Sequence, residues 1–195
     1  MAEEQEQVTV ETKAKPQIKL DNRELTKTSF WVGQIFMMLA TVLGVFLAAQ
    51  EGLSQAIAFD NLTNKQSNYY LRRSLYDEVQ DNVAVVEAYA NMLKTNPPYD
   101  LKNNSPAMGT FIWENMKYSP FTLETPTPVL SEIRRYYLQV DDIVQKIETR
   151  TIGSRFGAGK LLELNQSMTD TVLPELKTSY EKLETSLTKA GMTLE

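Results

Sequence analysis

The sequence predicts a mainly α protein, in which a single N-terminal transmembrane helix is followed by an antiparallel helical bundle of three long helices and one short. Three observations predict it. Twenty consecutive residues, from Phe30 to Ala49, carry no charge. Beyond them, apolar residues recur at alternating spacings of three and four, the period of one helix face. No stretch keeps the alternation of period two that a half-buried strand needs. The 195 residues divide accordingly into a cytoplasmic tail (1–28), a membrane helix with its extension (29–58) and an extracytoplasmic bundle (59–195).

The tail is polar with scattered charge and one proline, Pro16, so a disordered segment is expected as far as about Asn22. The apolar run FWVGQIFMMLATVLGVFLAA then spans roughly 30 Å as a helix, the thickness of a hydrocarbon core. Ten of its residues are Leu, Ile, Val or Phe. Together they favour insertion by about 3–6 kcal/mol, which outweighs the lone Gln34. Trp31 stands where an interfacial aromatic belongs.

Five basic residues (Lys13, Lys15, Lys19, Arg23, Lys27) precede the run, and only Lys65 lies within the seventeen residues after it. That asymmetry places the N-terminus in the cytoplasm and the bulk of the chain in the periplasm or outside the cell, at the inner (plasma) membrane. Ala56-Ile57-Ala58 has the small-x-small form of a signal-peptidase site, but the apolar run exceeds a signal core in length, so an uncleaved anchor is expected. Ala40, Gly44, Ala48, Gly52 and Ala56 recur every four residues and form a stripe of small side chains on which another helix can pack closely.

Tyr76, Val79, Val83, Val86, Ala90 and Leu93 define the apolar face of the first bundle helix, and Leu62 and Tyr69 extend it toward the membrane run. With few breakers between, the membrane helix is expected to continue into this one until Asn96-Pro97-Pro98. Residues 97–128 hold six of the eight prolines. A short helix is expected there from Pro106 to Lys117, with Ser105 as N-cap and Met108, Phe111, Ile112, Trp113 and Met116 packing inward. The next helix should start near Pro128 behind a Thr127 cap, with Leu130, Ile133, Tyr137, Val140, Val144 and Ile147 inward and an Asp142–Lys146 surface pair. Ile152 to Gly159 reads as a flexible break. The last helix runs from about Lys160 to Lys189, inward at Leu161, Leu164, Met168, Val172, Leu176, Tyr180, Leu183 and Leu187. Pro174 should kink or split it, and Gly191 should stop it.

Candidate chemistry is sparse. Cysteine and histidine are both absent, which removes thiol nucleophiles, disulfides, the commonest metal ligands and the usual proton shuttle. Fifteen basic against eighteen acidic residues from Phe59 onward give no basic excess for nucleic acid. Gly153 to Lys160 superficially suggests a phosphate loop, but five residues separate Gly153 from Gly159 where the motif needs four, and Leu161 stands where Ser or Thr is required. Asp77, Glu78, Asp81, Asp141 and Asp142 lack the loop spacing of a cation site and read as charged helix surface. No catalytic, cofactor-binding or metal residue is therefore assigned. Asn61 and Asn165 match the N-glycosylation pattern.

The best ligand or partner contact is the pair of Arg–Tyr clusters, Arg72 and Arg73 beside Tyr69-Tyr70, and Arg134 and Arg135 beside Tyr136-Tyr137. Guanidinium groups there suit an anion or carboxylate, whereas the structural reading pairs Arg73 with Asp77 on one helix. These residues lead to the expectation of a membrane-anchored, non-enzymatic interaction protein, a subunit, scaffold or accessory factor of a cell-envelope assembly. Its partners would be the membrane and other membrane or envelope proteins, or a second copy through the membrane helix. A ligand-binding sensory domain signalling through a partner is the alternative.

Overall fold

The computed structural model describes residues 27–194, and the expected tail disorder lies outside them. The described residues are mainly helical, with no strand among them. It comprises α1 (Thr28–Thr95), α2 (Phe111–Met116), α3 (Thr127–Glu148), α4 (Ser154–Ser167) and α5 (Leu173–Lys189). The chain divides into two compact units, Met1–Ser54 and Gln55–Glu195.

In the first unit α1 is long and apolar enough to cross a membrane, with a mean hydropathy of 2.1 over its most apolar window, none of which is buried. Phe30 and Trp31 meet edge to face at 6.0 Å near its start. Thr41 returns its hydroxyl to the Met37 carbonyl, so even this polar group is satisfied within the helix.

In the second unit, residues 55–95 of α1 form one wall of the bundle. Val79, Val83, Val86, Ala90 and Leu93 are buried as their spacing predicts, with Tyr76 half-buried. Asn96-Pro97-Pro98 ends the helix, because a residue before proline avoids the helical region.

The chain order of the contacts sets the topology. Along α1, Arg72 meets Glu124 and Asn82 meets Tyr137, so α3 runs parallel to α1. Lys65, Arg72 and Val83 meet Ser186, Ser179 and Asn165 in reverse order, so α4 and α5 run antiparallel to both. Parallel α1 and α3 require a return crossover. Residues 96–126 supply it, which explains their proline content.

Several boundaries differ from expectation. The short helix starts at Phe111, not Pro106, because Ser105 does not cap it. The Ser105 hydroxyl donates to the Lys102 carbonyl at 3.0 Å and to Glu148 at the end of α3. Phe111 is exposed instead of packed inward, while Met116 is buried. Thr127 is the first residue of α3 and no side chain caps that end.

The expected break at 152–159 is shorter and lies at 149–153. Arg150 takes a left-handed φ of 59°, and Thr151 N donates to the Lys146 carbonyl at 2.8 Å, closing α3 with a Schellman motif. Gly153 is extended, and Gly157 and Gly159 lie inside α4. Their role is not a hinge. A Cβ on Gly157 would fall 2.5 Å from Cγ1 and Cδ1 of Ile147, so the glycine permits close approach of α3 and α4.

Pro174 does split the last helix. It has no N–H to donate, and the chain accommodates it with a π turn over Met168–Val172, in which Leu173 N–H reaches back to the Met168 carbonyl. Gly191, at φ 81°, closes α5 as expected, with Met192 N donating to the Leu187 carbonyl.

Candidate functional site

Ala40, Gly44, Ala48, Gly52 and Ala56 are all exposed, and a Cβ added at Gly44 or Gly52 would meet nothing within 4 Å. The large apolar side chains around them are equally uncovered. From Trp31 to Phe59 they are 46–71% exposed.

The two Arg–Tyr clusters have different fates. Tyr69 is fully buried and packs edge to face on Tyr180. Arg73 is exposed. Its guanidinium donates to the Tyr69 hydroxyl at 2.6 Å and lies over that ring, and it makes no ion pair with Asp77. This contact raises its pKa, with Asp77 adding attraction from a distance. Arg72 is 8% exposed and points into the bundle. It donates to Ser179 Oγ at 2.8 Å and to the Glu124 backbone carbonyl. Burial pushes its guanidinium down from its ordinary value, and the nearby Glu124 charge opposes the shift.

On α3, Arg134 and Arg135 are exposed, and Arg135 pairs with Glu132 at 2.5 Å. Tyr136 is buried and donates to Asn165 Oδ1 at 2.8 Å. No hydrogen bond or ring contact joins the α1 arginines to those of α3, so the two clusters form no common site. Asp142 and Lys146 form the predicted pair at 2.6 Å, on the surface, where such a pair contributes at most about 0.5 kcal/mol.

Three polar side chains organise the bundle, and one of them, Glu78, is not the charged helix surface expected of it. Glu78 reaches from α1 to α2 and accepts from Ile112 N at 2.6 Å and Trp113 N at 3.0 Å. A carboxylate distant in sequence thus caps a helix that lacks a local cap. One turn further on, Asn82 acts like a strip of backbone. Its amide donates to the Gly109 carbonyl at 2.6 Å and its oxygen accepts from Gly109 N at 2.8 Å. The same amide donates to the Tyr137 hydroxyl at 3.0 Å. Asn165 bridges α4 to both other long helices, accepting from Tyr136 and donating to the Val83 carbonyl at 2.8 Å.

Burial raises the pKa of both Tyr136 and Tyr137 far above that of a free phenol, so both remain neutral: Tyr136 donates to Asn165, and Tyr137 accepts from Asn82 while donating to Glu78 at 3.4 Å. Asn165 is 5% exposed with its amide committed, so the folded chain offers no glycosylation acceptor there, whereas Asn61 is exposed.

No group of three or more acidic side chains converges on a metal position among the described residues. Lys65 Nζ donates to Ser186 Oγ at 3.4 Å, but a lysine must be desolvated to serve as a base, and Lys65 stands exposed. Comparison of the chain with protein-family models, with curated proteins and with solved structures finds no match.

Proposed function

We propose that this chain is a single-pass membrane protein of the cell envelope whose helical bundle and membrane helix make protein contacts, without catalysis of its own. It would serve as a subunit, scaffold or accessory factor. The observation that carries this reading is the uncovered apolar half of α1, with large side chains 46–71% exposed and a stripe of small residues among them. Water is a poor solvent for such a surface, and a bilayer is a good one.

Within lipid, Gly44, Ala48 and Gly52 are the part of the stripe that can face one neighbour. Each step of four residues turns about 40° round a helix, so three successive positions stay within about 80°, while all five wind further. Large side chains flank this seam and small ones let backbones approach, which is the geometry of helix association in membranes.

The test is gentle detergent extraction of the full chain from native membranes, followed by sizing and identification of what co-migrates. The expected result is a stoichiometric companion, or a second copy, lost from the Gly44→Leu/Gly52→Leu double variant. A chain that migrates alone, or a variant that keeps its companion, would refute the stripe as a contact.

Orientation is tested separately, and the absence of native cysteine makes the experiment clean. A Tyr99→Cys variant, at a position 92% exposed, should react with an impermeant maleimide added outside intact cells, while Thr9→Cys should react only after lysis. The reverse pattern would invert the topology.

A further inference from the structure

We infer that the cavity between α1, the start of α3 and α5, with Arg72 in its wall, is a binding site for a small monocarboxylate carrying a short apolar chain. The inference is independent of the membrane reading, since it rests on the bundle alone. The cavity measures about 470 Å³.

Arg72 is a buried cation without a carboxylate in ion-pair contact. A guanidinium carries five N–H donors. Its hydrogen bonds engage Nη1 and Nη2, with a serine hydroxyl and a backbone carbonyl as acceptors, and Nε has no partner. The Glu124 carboxylate acts on Arg72 from a distance but makes no ion pair with it, and it accepts from the Asn68 amide at 2.6 Å. Buried polar atoms are nearly always hydrogen-bonded, and a buried charge is nearly always paired. The unpartnered Nε of a buried guanidinium in the cavity wall therefore marks a place for a guest that accepts a hydrogen bond.

The walls narrow the guest's class. Arg72 and Lys182 stand in the lining with Glu175, and the Glu124 carboxylate also acts on Arg72 from outside it. With two acidic groups so placed, a dianion such as phosphate is disfavoured. Pro126, Val129 and Leu183 line the remainder, so a short aliphatic chain finds apolar contact where a bare inorganic ion finds none. A carboxylate is also the planar partner that a guanidinium edge holds with two parallel hydrogen bonds.

The full chain in a non-ionic detergent is titrated with sodium butyrate, with sodium phosphate at equal ionic strength as the comparison. The arginine Nε–H resonances are followed throughout. The expected result is a saturable shift of one Nε–H signal with butyrate and a much weaker response to phosphate. Arg72→Gln should abolish that signal, which assigns it, and should weaken butyrate binding, read by calorimetry, roughly tenfold or more, the effect of losing a charge-assisted contact. Because that variant removes a buried group and can fail to fold, Thr178→Trp provides a second reading. Thr178 is exposed and lines the cavity, so a bulky ring there should obstruct entry without touching Arg72. No saturable shift with butyrate would overturn the proposal, as would phosphate binding equally well or unchanged affinity in Thr178→Trp.

Discussion

Replacing Asn82 with alanine is expected to destabilise the bundle by about 2–3 kcal/mol, the cost of losing three hydrogen bonds made by one buried amide. Asn82 is 2% exposed, and its two ends close both backbone groups of Gly109 while its amide also holds the Tyr137 hydroxyl. Alanine returns none of these bonds, and although water can reach the exposed Gly109, the buried Tyr137 hydroxyl loses its amide partner. The loss extends beyond the residue itself. Gly109 precedes α2, whose first amides are capped by Glu78 one turn before Asn82 on α1. Releasing Gly109 therefore loosens the crossover from the helix that orders it.

The measurement is thermal unfolding of the full chain in detergent, read together with amide exchange at Ile112 and Trp113. A fall in midpoint of roughly 10 °C is expected for a bundle of this size. Faster exchange at those two amides should accompany it, with slow exchange retained in α3 and α5. Asn82→Asp separates hydrogen bonding from shape. It keeps an acceptor for Gly109 N but loses the amide donor and sets a second carboxylate beside Glu78, so it should be no better than alanine. An Asn82→Ala chain within about 0.5 kcal/mol of wild type would show that the crossover is held by apolar packing alone, since surface changes fall in that range.

Asn82 also shows how much of this architecture was legible in the sequence. The long faces of α1, α3 and α5 could be read directly, because burying one stripe of a helix leaves a period that nothing else imitates. Gly191 and Asn96-Pro97-Pro98 could be read for a local reason, the backbone angles they permit. The crossover could not. Ser105 has the residue type of a cap, yet its hydroxyl serves Lys102 and Glu148, and the actual cap of α2 comes from Glu78, more than thirty positions earlier. Local capping rules have no access to such a partner.

A usable signal was nonetheless present. Asn68, Arg72 and Asn82 continue the register of Leu75, Val79, Val86 and Leu93 along α1, and all are buried. Asn165 stands likewise in line with Leu161, Met168 and Val172. A polar residue in step with an apolar stripe must find a partner inside, because leaving it unpaired costs more than most single contacts contribute. By the same test Arg134 and Arg135 fall out of step beside Ile133 and Tyr137, and the structure leaves them in solvent. Grouping Arg72 with them by composition mixed a buried cation with surface ones.

Two glycines of α4 should respond in opposite directions to the same substitution. On propensity alone, alanine for glycine inside a helix stabilises by about 1 kcal/mol. Gly159 has nothing within 4 Å of an added Cβ, so Gly159→Ala should show most of that gain. At Gly157 the added atom falls 2.5 Å from two carbons of Ile147 and 3.2 Å from Cδ1 of Ile152. Ile147 is fully buried and β-branched, so it cannot swing aside within a close-packed interior. Overpacking of this kind costs about 1–3 kcal/mol, which cancels or exceeds the propensity gain and should leave Gly157→Ala less stable than wild type.

The two variants should therefore differ by about 1–3 kcal/mol, although each adds one methyl group to the same helix. A double-mutant cycle identifies the cause. Ile147→Ala alone should cost about 2–5 kcal/mol, and adding Gly157→Ala to it should cost nothing further or recover part of the loss, because the clashing carbons are gone. If the two substitutions were simply additive, contact with Ile147 would not be the reason for glycine at 157. If Gly157→Ala instead matched Gly159→Ala, α3 and α4 would have room to separate, and the close approach that orders this corner of the bundle would not constrain it.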